Sequence, residues 1–173
     1  MHETLQRRFL DHSVEKLRQY TGRIETCFGK LNEEQVWLRG GENENAPANL
    51  VLHLSGNVRQ WIVSGVGGRP DVRQRDTEFA ARGGISTAEL LQRLRQTVEE
   101  AAAVITAVTA EQLAESRVIQ GYSVSVMEAI YHVVEHFSMH TGQIIFVTKM
   151  LTGGDLGFYN HLRAAAAHSD KTP

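Results

Sequence analysis

His132, His136 and His140 put three of the chain's eight histidines at i, i+4 and i+8. On a helix those spacings carry all three imidazoles along one stripe. Neutral imidazole is the commonest side-chain metal ligand, so the chemistry this pattern suggests is metal coordination. The triple rises about 12 Å along a helix axis, too far for one compact ion to touch both ends. A single ion can therefore use His132 with His136, or His136 with His140, and spacing alone does not choose between the pairs. A further ligand has to come from elsewhere. With His136 as origin, the other two histidines lie about 40° to either side on the helical wheel. Val133 and Ile144 flank the stripe on one side and Glu135, Met139 and Phe146 on the other, which sets the histidines at the edge of a buried face. A lone histidine in such a place is usually hydrogen-bonded to backbone or to an amide side chain. A pair at i, i+4 shifts the balance towards coordination.

A second stripe has the same character. His53 has Asn49 and Asn57 at i−4 and i+4, Gln60 and Ser64 continue the line, and Leu50, Leu54 and Trp61 lie beside it. If the two stripes face each other, His53 supplies the third imidazole. Three neutral imidazoles suit zinc, nickel, iron or copper and leave positions open for water or substrate. Such an ion has two chemical uses: holding a thiol as its nucleophilic thiolate, or lowering the pKa of a bound water for hydrolysis. Glu135 is a poor general base, since it points about 100° away from His136. Gln143 and Asn57 can orient a ligand, or fix imidazole tautomers by hydrogen bonding. Asp76 and Glu78 are within reach of a site, but charges in such a segment ordinarily cap helices or pair with Arg73, Arg75 and Arg82 at the surface. Tyr122, Trp37 and Trp61 read as packing residues, and Cys27 as a buried, inert thiol. No strand–elbow–helix context supports a hydrolase triad, and Gly83-Gly84 and Gly153-Gly154 lack the pattern of phosphate loops.

The elements that must position these residues are helical. Leu5, Phe9, Leu17, Tyr20, Ile24 and Phe28 recur at helical spacing, predicting a helix over about 3–29 that ends near Gly29. Pro47 suits a first helical turn, and a second helix is predicted over about 47–65. Residues 69–85 form a long charged connection, Arg73 to Phe79 among them, of the kind that is often functional when ordered. Ser86-Thr87-Ala88-Glu89 is a capping box that opens a third helix running to about 108. A short turn region and a fourth helix over about 123–151 follow, stopped by Gly153-Gly154. The expected architecture is an all-α four-helix bundle, one domain over 1–173 with its core in about 3–152 and a fraying tail from 153 to 173. The connection from 66 to 85 is long enough to cross the bundle end.

The composition excludes several alternatives. Eighteen basic residues balance twenty acidic ones, so no basic patch points to nucleic acid. Cys27 is the single cysteine, which rules out an internal disulfide and fits a reducing, cytoplasmic setting. The N-terminus has no apolar core of a secretory signal, and no run is long and apolar enough to span a membrane.

The motifs resemble a known family. Asn49-Leu50-Val51-Leu52-His53-Leu54 followed by Trp61 is similar to the second helix of the DinB/YfiT-like superfamily. His136-Phe137-Ser138-Met139-His140-Thr141-Gly142-Gln143-Ile144 resembles its fourth-helix motif, histidine, three residues, histidine, any residue, Gly-Gln. The Arg73–Phe79 segment and the residues from Tyr131 to Lys149 are similar to one bacterial branch of it. The resemblance covers about residues 5–152 and implies a four-helix bundle with a long crossover. It implies a divalent cation (zinc, nickel, iron or manganese) held by His53, His136 and His140, leaving His132 as a neighbour or an alternative ligand. It further implies a metal-dependent thiol S-transferase that joins a low-molecular-weight thiol to small electrophiles, and a homodimer. A metal-dependent hydrolase and a non-catalytic metal-containing bundle are the alternative readings.

Overall fold

The structure is a computed structural model that describes residues 4–162. Helix α1 runs Leu5–Phe28, its N-terminus capped by the Thr4 hydroxyl, which accepts from the Arg7 amide. Leu10, Leu17 and Ile24 on its inner face are fully buried. A single turn, α2 (Glu33–Val36), interrupts the connection that follows. Helix α3 spans Pro47–Val58, with the proline in its first turn as its ring and missing N–H favour.

The single helix predicted over 47–65 changes pitch. Arg59–Val66 is π-helical, and the Gly67 amide donates to the Ile62 carbonyl at 2.8 Å, an i→i+5 bond. Such wide turns are rare and frequently mark functional sites. The charged connection expected as loop contains a short helix, α4 (Arg75–Ala80). Helix α5, Thr87–Ala107, starts at the predicted capping box, where the Ser86 amide donates to Glu89 Oε2 and the Glu89 amide to Ser86 Oγ.

The region expected as a short turn holds more. It forms a turn of helix, α6 (Ala110–Leu113), and an antiparallel hairpin of β1 (Ser116–Ile119) and β2 (Tyr122–Ser125), with Ile119 opposite Tyr122. The all-α bundle stands with this small hairpin added to it, and Tyr122, read as a packing residue, lies exposed in a strand. The physical reason is the turn. Gln120 and Gly121 both have positive φ (52° and 82°), the backbone that a two-residue hairpin of matching twist requires. Helix α7, Val126–Thr152, opens on a second capping box, Ser125 with Glu128, and ends on Gly153 in the left-handed conformation (φ 65°).

Helices α1, α3, α5 and α7 form the four-helix bundle. Helix α1 packs beside α5 and α7, and α3 packs beside the same two. The diagonal pairs are therefore α1 with α3 and α5 with α7. The chain crosses the bundle in the 29–46 and 108–125 connections, while the long 67–86 connection joins neighbours. Leu54, Ile62, Leu94, Ile105, Ile130 and Phe137 meet in the core, each fully buried, and each such side chain stabilises by roughly 1.5–3 kcal/mol. Beyond α7, Leu156 is buried and Phe158 packs on the core, with Arg23 set over the Phe158 and Tyr159 rings. Of the tail expected to fray over 153–173, residues 163–173 lie outside the described residues. Among the described residues, no helix is long and apolar enough to cross a membrane.

Candidate metal centre

The packing of α3 against α7 brings the two histidine stripes face to face. His53 Nε2 lies 3.1 Å from His136 Nε2, and His140 Nε2 lies 3.1 Å from the same atom. Each of the three offers a ligand nitrogen, all within 4.8 Å of one another. His132 is brought close but not in. Its ring tilts against Trp61 at 4.1 Å and stacks 5.6 Å from His136. The π-helical segment carries Trp61, so the ring that engages His132 comes from the stretch of wide turns. Of the two pairs that spacing left open, the structure assembles His136 with His140.

Each imidazole has a different backing. Glu78 Oε2 sits 3.1 Å from His53 Nδ1, and Gln143 Oε1 sits 2.6 Å from His140 Nδ1. His136 Nδ1 is buried without a hydrogen-bond partner among the described residues. Asn57, expected to orient a ligand, is buried and its Oδ1 likewise has no partner there. Glu135 is exposed, as its wheel position predicted. Cys27 is fully buried, and burial pushes its thiol above the usual value, which suits an inert residue.

Glu78 combines two outcomes expected separately. It is buried, and Arg73 grips it twice, Nε to Oε1 and Nη2 to Oε2, both at 2.8 Å. Burial alone would raise its pKa, but the hydrogen bonds and charges of Arg73 and His53 outweigh that and leave it below the usual 4.5. Asp76 lies exposed and apart. The backbone that delivers Glu78 is pinned from α3: Asn49, fully buried, donates to the carbonyls of Glu78 (2.8 Å) and Ala81 (3.0 Å). Asn49 Oδ1 in turn accepts from Arg39 Nη2 at 2.7 Å, and that nitrogen also reaches the Phe79 carbonyl.

The donor set fits a divalent cation. A carboxylate and an amide oxygen only accept hydrogen bonds, so Glu78 and Gln143 both place the proton on Nδ1 of their histidine. Arg73 Nη2 is also 3.1 Å from His53 Nδ1, but a bare Nδ1 would set its lone pair against the Glu78 Oε2 carboxylate oxygen 3.1 Å away. The Nε2 atoms of His53 and His140 are then bare lone pairs aimed at His136 Nε2, and one N–H there cannot satisfy both. Protonating His136 is no remedy. Burial, then the neighbouring charges of His140, His53, His132 and Arg73, push its pKa down from 6.5 to about 3. Burial is also the main cause that lowers His132 and His140. Nitrogen ligands at about 2.0–2.1 Å from zinc lie roughly 3.0–3.5 Å apart, and two of the separations here are 3.1 Å. His53, His136 and His140 could hold a metal ion.

A groove of about 810 Å³ runs along α7 beside this cluster, lined by Asn43, Leu50, Met139, Gln143, Phe146 and Met150 among others. It reaches the amide that backs His140. A smaller cavity of about 300 Å³, lined by Val66, Val104 and Val126 among others, includes none of the candidate residues.

Sequence reasoning did not assign Arg73, Asn49, Arg39 or Gly56 to this site. One sequence signal pointed there: Gly56 stands inside a helix one turn after His53, and a glycine in that position costs helix stability unless something must approach closely.

Residues 4–161 match a family model described as "Protein of unknown function (DUF1572)". No curated relative matches the sequence. Among solved structures, the chain is similar to a conserved protein from Enterococcus faecalis at 14% identity and a TM-score of 0.68, covering 83% of this chain and 97% of that one. It is also similar to a DinB-like protein, YjoA, from Bacillus subtilis at 16% identity and a TM-score of 0.64, covering 86% and 97%. At these identities the likeness concerns the fold, which is the DinB-like bundle that the helix motifs implied.

Proposed function

The chain belongs to the DUF1572 family, and from that premise we propose that it is a metal-dependent enzyme of the thiol S-transferase type, acting on small electrophiles. The observation that carries the metal is the convergence of the Nε2 atoms of His53, His136 and His140. A divalent cation bound there supplies Lewis acidity that favours a thiol in its nucleophilic thiolate form. The chain's own residues do the rest. Glu78 and Gln143 keep the Nδ1 protons of His53 and His140 in place, so the lone pairs stay aimed at one point. Leu50, Met139, Phe146 and Met150 offer an apolar wall for a small electrophile.

Thiol transfer is favoured over hydrolysis by the state of the nearest carboxylate. Among the described residues, the carboxylate that touches the cluster is Glu78, and both its oxygens are occupied by Arg73 and His53. It is therefore not free to take a proton from water, as a general base must.

Metal analysis of the purified protein, with His53→Ala and His140→Ala beside it, tests the site. Stoichiometric metal in the wild type and loss in both variants is expected; unchanged metal in both variants sinks the ligand assignment. Conjugation of a generic aromatic electrophile with several low-molecular-weight thiols tests the reaction. Ester hydrolysis without thiol replaces this reading with a hydrolase, and bound metal with no turnover replaces it with a binding protein.

A further inference from the structure

We propose that Glu78, clamped by Arg73, is the positioning residue of His53: its carboxylate fixes the His53 proton on Nδ1 and so holds the Nε2 lone pair toward His136 and His140. This rests on the metal reading above, and it assigns a role to the charged connection that the sequence singles out.

The first argument is location. The Arg73 side chain is 3% exposed and that of Glu78 10%. A buried ion pair loses hydration that its mutual attraction often fails to recover, so stability alone is a weak reason to place one here. At the surface the same two residues would avoid that loss.

The second is geometry. Two parallel bonds of 2.8 Å join guanidinium and carboxylate, and Arg73 Nη1 donates to Gln60 Oε1 at 2.9 Å. A bidentate grip of this kind fixes orientation as well as distance. The carboxylate cannot turn away from His53, nor does it reach the point where the Nε2 atoms meet. It stands on the Nδ1 side of the imidazole, across the ring from Nε2. Glu78 thus acts through His53 and is neither a ligand nor a base.

The third is space. A Cβ on Gly56 would lie 1.9 Å from Glu78 Oε1 and 2.9 Å from Arg73 Nε. The absence of a side chain on α3, three residues after His53, is what admits the pair. The Phe79 ring, 4.7 Å from the His53 ring, closes the same side.

Two variants test this without relying on turnover. Gly56→Ala displaces the carboxylate and keeps every charge. Glu78→Gln with Arg73→Met removes both charges, so no buried ion is left alone to unfold the protein. Each is read twice: by zinc affinity in competition with a chelator, and by long-range proton–nitrogen NMR of the histidines in metal-free protein. The wild type is expected to show His53 protonated on Nδ1. Both variants should show mixed tautomers and bind zinc about 10–100-fold more weakly. A purely structural role would lower thermal stability and leave the tautomer alone. Zinc affinity within about twofold of wild type, with the His53 tautomer unchanged in both variants, overturns the proposal. If the wild type binds no zinc, the metal reading fails and the tautomer in metal-free protein still decides: mixing in the variants upholds the role of Glu78, and retention of Nδ1–H refutes it.

Discussion

The two halves of the histidine cluster are built by different means. On α7, one helix does nearly everything: it spaces His136 and His140 one turn apart and sets Gln143 three residues beyond His140 to back it. On the other side, His53 is one residue on α3 that needs help from far along the chain. Its backing carboxylate comes from α4, held by Arg73 before that helix, by Asn49 on α3, and through Asn49 by Arg39. A helix supplies regular spacing and short-range hydrogen bonds as a by-product of its geometry. A ligand that stands alone on its element has to be oriented by tertiary contacts, and here those contacts include a buried ion pair.

This asymmetry makes the α3 side the fragile one. The largest effect is expected from Arg73→Met, which leaves Glu78 buried without its partner. Breaking a buried pair in this way costs about 3–5 kcal/mol, to be read from urea unfolding of the metal-free protein. Asn49→Ala comes next. It strips hydrogen bonds from the Glu78 and Ala81 carbonyls, and leaving buried groups unsatisfied costs about 1–3 kcal/mol. Its zinc affinity should fall with its stability, because the backbone that presents Glu78 loosens.

Gln143→Ala probes the local side. Stability should stay within about 0.5 kcal/mol of wild type, while zinc affinity falls about tenfold, the lower end of what such backing residues contribute. A loss equal to that of the paired Glu78→Gln and Arg73→Met variant would erase the distinction between the halves.

Acid should act more gently. The folded protein holds His136 at a pKa of about 3 against an ordinary 6.5. Below about pH 6.5 the unfolded chain therefore takes up a proton that the folded state refuses, and stability falls with pH down to about 3. The lowered values of His132 and His140 act with the same sign, as does Glu78 once pH falls through the carboxylate range. Melting of the metal-free protein between pH 7 and 5.5 should show a decline of less than about 1.4 kcal/mol per pH unit for His136, and His136→Gln should flatten it. Stability that rises on acidification in this window would contradict the burial that drives these shifts.

Much of the scaffold is legible along the chain because its causes are local. Apolar spacing marks the four long helices, the Ser86–Glu89 box opens α5 where predicted, and Gly153 stops α7. The same periodicity singles out His53, His132, His136, His140 and Gln143, since their wheel positions at the edge of apolar arcs follow from helix geometry alone. What could not be read has causes that act through space. Nothing near Arg59 announces a π-helical segment, and nothing near Glu78 says that it meets a histidine 25 residues away. His136 itself is 83 residues from His53, so whether it pairs with His132 or His140 depended on how α3 lies across α7. Residue types and spacing specified three imidazoles able to share an ion. Packing decided which three meet, which proton each of two keeps, and that a buried arginine and glutamate stand behind one of them.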